Sequence, residues 1–129
     1  GFFYSYVVES GEFFPKPLIQ SETRNRYGGT VWANEQSIRE IYLKGFEICV
    51  KEAQPWTIMT SYNILNGRRT CECYELIEGI LRQEWGFHGM VTSDWHGPCN
   101  QEHCIVAGND VRMPTGFPDV LQEALQYNR

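Results

Sequence analysis

Two short apolar runs, "WTIMTSY" at 56–62 and "GMVTS" at 89–93, do most to limit how this chain can fold. Each is bounded by punctuation: Pro55 stands before the first, Asn66-Gly67 soon after it, and Gly86 before the second. Short apolar runs of this kind read as strands covered on both faces. The segment between them is far too long for a hairpin, and Tyr74, Ile77, Ile80, Leu81 and Trp85 recur along it at helical spacing. Strand, helix, strand calls for a crossover, and a crossover delivers parallel pairing.

The rest of the chain extends the same alternation. Asn34 is a fair helix N-cap, and Ile38, Ile41, Tyr42, Phe46, Cys49 and Val50 follow at helical intervals, predicting a helix over 34–52 that Pro55 closes. Cys49 falls within that pattern and is expected to pack as a small hydrophobe. "NILNG" reads as a turn after the first run, and a second helix over 71–85 ends at Gly86. A short helix over 101–107, a strand at "NDVRMP" and an amphipathic helix over 117–127 complete the order. The first thirty residues are irregular and aromatic-rich, with one short strand at 2–8. The expectation is an α/β domain of parallel strands alternating with helices, single over 1–129, with β/α repeats from 31 onward. In such sheets reactive residues gather at the carboxyl ends of strands, where Tyr62-Asn63 and Asp94-Trp95 stand.

Composition removes several classes of function. A net charge of −5 argues against nucleic acid, whose phosphates want a basic face. No apolar stretch approaches the roughly 20 residues that cross a bilayer, so no membrane partner is expected. Five cysteines is an odd number, so at least one thiol is unpaired within the chain, which favours a reducing, cytoplasmic setting. His96, Cys99, His103 and Cys104 lie close in sequence, yet no repeated ligand spacing supports a metal site, and none is expected.

Three motifs in fixed order carry a resemblance. "REIYLKGFEICVKEAQPWTIMTSYNILNG", then "LIEGILRQEWGFHGMVTSDW", then "AGNDVRMP" resemble glycoside hydrolase family 3, the family of β-glucosidases and related exo-acting enzymes. The likeness runs from about Glu22 to Pro114. It implies a (β/α)₈ barrel of which this chain is roughly the second half, since a whole barrel takes about 250 residues. It also implies that Asp94, in "SDW", is the nucleophile that forms a covalent glycosyl-enzyme. Trp95 would lie against the apolar face of a sugar ring. Tyr62 would donate a hydrogen bond to the Asp94 carboxylate, and Met59 would line the pocket. Asp110, in "AGNDVRMP", is expected to order its loop and not to touch sugar. No metal or organic cofactor is required by this chemistry.

The chain also departs from the family's pattern. A retaining glycosidase needs a second carboxyl group about 5–5.5 Å from the nucleophile. In most of the family that acid/base glutamate comes from a second α/β domain beyond the point where this sequence ends. Upstream, "PKPLIQSETRNR" offers Lys16, Glu22 and Arg26 where the family carries Lys-His-Phe, Asn-Gln-Glu and an arginine, but the histidine is missing. The expected function is therefore a fragment of a retaining glycosidase, slow or inert alone, acting on a glucoside or oligosaccharide. Its expected partners are the missing barrel half and second domain, or a second copy of itself. The alternative is a sugar-binding or assembly fragment without the reaction.

Overall fold

The computed structural model describes residues 3–4, 30–97 and 99–127. Its centre is a three-stranded sheet in the order β1 (Phe3–Tyr4), β3 (Thr57–Thr60), β6 (Met90–Thr92). β3 and β6 are parallel, with Ile58 opposite Val91 and Met59 opposite Thr92. Val111 adds a parallel bridge to Thr92 on the far side of β6. The expected alternation therefore stands for the two apolar runs and their crossover. β1 departs from it by pairing antiparallel with β3, a common arrangement for an edge strand on a parallel sheet. "NDVRMP" contributes this single bridge at Val111 and no longer strand.

Helix α1 runs through Glu35–Ser37, Ile38–Tyr42, Lys44–Ile48 and Cys49–Ala53. Its start is the expected one: the Asn34 side chain accepts a hydrogen bond from the Ser37 N–H at 2.8 Å. Its buried face is not. The first turns are wound wide, with the Leu43 N–H reaching back five residues to the Ile38 carbonyl at 2.8 Å. One extra residue in a turn advances the phase, so Leu43 falls fully inside while Ile41 and Cys49 face out. Cys49 is therefore an exposed thiol and no part of the core.

"NILNG" is more than a turn. β4 (Ile64–Leu65) and β5 (Arg68–Arg69) form a two-residue hairpin, and β2 (Thr30–Val31) pairs parallel with β4. Asn66 and Gly67 both have positive φ, as a hairpin loop of this length and hand requires. The Asn66 amide also grips Ala33 through its carbonyl and its N–H, each at 2.9 Å. A 3₁₀ turn at Thr70–Glu72 leads to helix α2 (Glu75–Glu84), shorter at its start than the expected 71–85 because Cys73 is extended. α2 buries Leu76, Ile77 and Leu81, while Tyr74, expected on the buried side, is exposed. Gly86 closes the helix at φ +72, where a side chain would strain the backbone.

Helices α3 (Gln101–Val106) and α4 (Pro118–Gln126) follow. The Asn100 side chain caps α3 by accepting from Glu102 and His103 N–H groups. The core lies between one face of the sheet and the first two helices: Ile58 and Val91 from the strands meet Leu43, Ile77 and Leu81 from the helices. Burying one such side chain contributes about 1.5–3 kcal/mol. The opposite face, carrying Thr57, Met59, Met90 and Thr92, is half-buried or exposed. No helix among the described residues is long and apolar enough to cross a membrane.

Candidate functional site

β6 is fixed by contacts that the chain makes after it. The Asp110 N–H and the Val111 N–H both donate to the Val91 carbonyl, at 2.8 and 3.1 Å. The Asp110 carboxylate returns the contact, accepting from the Val91 N–H at 2.7 Å and from the Arg82 guanidinium at 2.8 Å. Asp110 thus orders this loop, as expected. Arg82 went unremarked in the sequence, yet its guanidinium also donates to the Gly89 and Gly108 carbonyls at 3.1 Å and pairs with Glu78 at 3.1 Å. Gly89 itself has no room for a side chain, since a Cβ there would lie 2.3 Å from the Trp56 carbonyl oxygen.

This framework sets the direction of the residues that follow. Side chains alternate along a strand, so Val91 and Ser93 turn toward the core and Thr92 and Asp94 toward the open face. The burial follows that alternation: Val91 and Ser93 are buried, and Thr92 and Asp94 are half-buried. Met59, opposite Thr92 on the neighbouring strand, is half-buried on the same face. The structure therefore brings Asp94 and Met59 to one side of the sheet, at the carboxyl ends of two parallel strands.

The backbone around Asp94 is held at several points. The Asp94 carboxylate accepts from the Trp95 N–H at 2.6 Å through Oδ1, and Oδ2 has no hydrogen-bond partner among the described residues. The Gly97 N–H closes a turn onto the Asp94 carbonyl at 3.2 Å, and the His96 N–H donates to the Met113 carbonyl at 3.3 Å. The Ser93 hydroxyl accepts from the Met113 N–H at 2.9 Å. Tyr62 is buried and its phenol donates to the Trp95 carbonyl. That is a correction: the single phenol hydrogen goes to the backbone beside Asp94 and not to its carboxylate. The tyrosine ring packs over the turn, within 3.9 Å of where a Gly97 Cβ would stand. Trp95 is 54 % exposed, and its ring stands perpendicular to that of His96 at a centroid distance of 6.0 Å. Lys16, Glu22 and Arg26 lie outside the described residues.

A second group of reactive side chains stands behind this turn. Cys71, Cys99 and Cys104 have their sulfurs all within 4.8 Å of one another. Hydrogen bonds from the Cys104 and Cys71 thiols, with Arg112 and Arg69 nearby, hold the Cys99 thiol well below its ordinary range. Of the four residues that cluster in sequence, Cys99 and Cys104 meet here. His103 points away toward Glu72, 3.5 Å from its carboxylate, and Cys71 takes a place that spacing along the chain did not reveal.

Parallel strands, a helical crossover and an acid with an adjoining tryptophan at a strand's carboxyl end define the class as an α/β protein with an enzyme-like strand-end site. Residues 8–115 match the glycosyl hydrolase family 3 N terminal domain, and the chain belongs to that family. It is 47 % identical over 121 residues to β-glucosidase A of Butyrivibrio fibrisolvens, covering 92 % of this chain and 15 % of that protein. To the exo-α-(1→6)-L-arabinopyranosidase of Bifidobacterium breve it is 44 % identical over 84 residues, covering 65 % of this chain and 11 % of that one. The structure of β-glucosidase 3B from Thermotoga neapolitana in complex with glucose superposes with a TM-score of 0.75 at 38 % identity, covering 81 % of this chain and 16 % of that one. The chain thus spans about a sixth or less of the relatives that it matches.

Proposed function

We propose that this chain is an arc of a (β/α)₈ barrel from a retaining exo-glycosidase, that residues 1–129 form one continuous part of that barrel, and that Asp94 is its nucleophile. The observation that carries the reading is the half-buried Asp94 carboxylate at the carboxyl end of β6, on the open face, with one oxygen held by its own turn. Among the described residues α1 and α2 pack on the other face, which supports the partial barrel, since the inner face of an incomplete barrel lacks its filling.

In the reaction, the Asp94 carboxylate attacks the anomeric carbon of a terminal sugar, forming a C–O bond as the glycosidic C–O bond breaks. An acid outside this chain protonates the departing oxygen. Water, deprotonated by the same group, then displaces Asp94 and releases the sugar with retained configuration. Trp95 offers its indole to the C–H face of the ring, Met59 lines the floor, and Tyr62 positions the turn that carries both Asp94 and Trp95. The substrate class is a glucoside or short oligosaccharide, in keeping with the β-glucosidases among its relatives; the arabinopyranosidase shows that the terminal sugar can change within the same lineage.

The test is mass spectrometry of the full chain after incubation with an activated 2-deoxy-2-fluoro-glucoside, with Asp94→Ala as control. An activated leaving group departs without much protonation, so the first step needs little help from a general acid. One sugar added to Asp94, and none in the control, is the expected result. No label on a folded chain that still binds glucose would favour the sugar-binding alternative.

A further inference from the structure

The three sulfurs behind the Asp94 turn come from three separate elements. Cys71 lies in the 3₁₀ turn after the hairpin, Cys99 in the loop after Trp95, and Cys104 in α3. Cys71 and Cys104 are buried and Cys99 is half-buried, so an ion can enter from the Cys99 side. Three sulfurs bound about 2.3 Å from one ion lie about 3.8–4.0 Å from each other. With all three within 4.8 Å here, closing on an ion takes side-chain shifts of less than about an ångström.

The supports around the cluster are already in place. The Asn109 amide donates to the Cys71 carbonyl at 2.6 Å and to the Cys104 carbonyl at 3.2 Å, and Asn109 is itself buried. The Arg112 guanidinium donates to the Cys99 carbonyl at 3.1 Å. Each cysteine backbone is therefore held by a neighbouring side chain, which limits how far the three sulfurs can move apart. Arg112 also brings positive charge, which offsets the surplus of three thiolates over a divalent ion. Among the described residues no histidine or carboxylate joins the three sulfurs at this spacing. The donor set is purely soft, which selects a thiophilic d¹⁰ ion over magnesium, calcium or manganese.

We propose that Cys71, Cys99 and Cys104 form a three-thiolate site for one thiophilic metal ion of the zinc class, with water in the fourth position, tying the loop after Asp94 to α3 and the 3₁₀ turn. The ion is structural, so this site stands or falls independently of the glycosidase reading.

The test uses the full chain, reduced, stripped with a chelator and titrated anaerobically with Cd²⁺, with Zn²⁺ competing. The expected result is a thiolate-to-cadmium charge-transfer band saturating at one ion per chain, together with a melting temperature that rises with metal. Cys99→Ser should weaken binding at least tenfold, while Cys49→Ser and Cys73→Ser titrate as the parent does. Serine at the buried Cys71 or Cys104 risks misfolding, so Cys99→Ser, checked by circular dichroism, is the deciding variant. Saturation at no defined stoichiometry, or a folded Cys99→Ser that binds as the parent does, would overturn the proposal. So would a disulfide between two of the three that persists in the reductant.

Discussion

At the scale of single residues, the candidate site depends on a turn more than on the acid that it presents. Tyr62 is buried, and its phenol ties β3's end to the Trp95 carbonyl. Tyr62→Phe keeps the ring over Gly97 but strands that carbonyl, a loss of about 0.5–1.5 kcal/mol. Urea denaturation should register the loss, and in an active enzyme bearing this chain the variant should depress kcat more than it raises KM if the turn carries the proposed nucleophile. On the proposed role, Asp94→Asn in the same enzyme should cut turnover on the order of 10⁴–10⁶-fold, the scale of losing a nucleophile outright. Much of this was legible beforehand: Asp94, Trp95 and Tyr62 share one strand-end region, as their motifs predict. The direction of the Tyr62 hydrogen bond was not, because it depends on how the 94–97 turn folds back beneath the ring, and no local pattern encodes that.

At the scale of elements, two polar connections hold the strand and helices in place. Asp110→Ala removes the acceptor for both the Val91 N–H and Arg82. It should cost about 1–3 kcal/mol, visible as a lower urea midpoint with unchanged slope. Arg39 on α1 reaches Glu84 on α2 through two contacts, at 2.6 and 2.9 Å, and Glu35 on its own helix at 2.9 Å. The Arg39 hydrogen bond lowers the Glu84 pKa. A carboxylate so lowered stabilises the fold above its unfolded pKa, and the contribution is lost as pH falls through the folded value. Both partners are solvent-exposed, so Glu84→Gln should cost only about 0.2–1 kcal/mol at pH 7. That difference should vanish below the ordinary carboxylate range when stability is followed against pH. The helices themselves were legible from periodicity, N-caps and glycines. The phase of α1 was not, because the wide turn that brings Leu43 inside leaves no mark in the spacing of its apolar residues.

At the scale of the molecule, α1 and α2 lie on one face of the sheet and the candidate site on the other, with little above it among the described residues. Large apolar side chains remain uncovered, Trp56 at 88 % and Trp32 at 75 % exposure among them. Exposed apolar surface and open strand edges favour association. The isolated chain should therefore elute above its monomer mass in size-exclusion chromatography with light scattering, and the excess should shrink as concentration falls. A monomer at all concentrations would count against an open barrel arc. The alternation of β3 and β6 with α1, α2 and α3 was readable from the sequence; the β4–β5 hairpin, its pairing with β2 and the one-sided cover were not, because short apolar runs look alike whether a helix, a hairpin or a barrel interior lies against them.

The alternation along β6 also makes the site a matter of counting. Between the end of α2 and Asp94 the chain passes Gly86, which turns the backbone, and Gly89, wedged against Trp56. Inserting or deleting one residue in that connector would leave every side chain of the site intact and exchange the two faces of the strand. Ser93 would be offered to the open side and Asp94 pressed into the helices. The connector behaves as a reading frame: its length, more than its composition, decides whether an acid or a serine meets whatever enters from above.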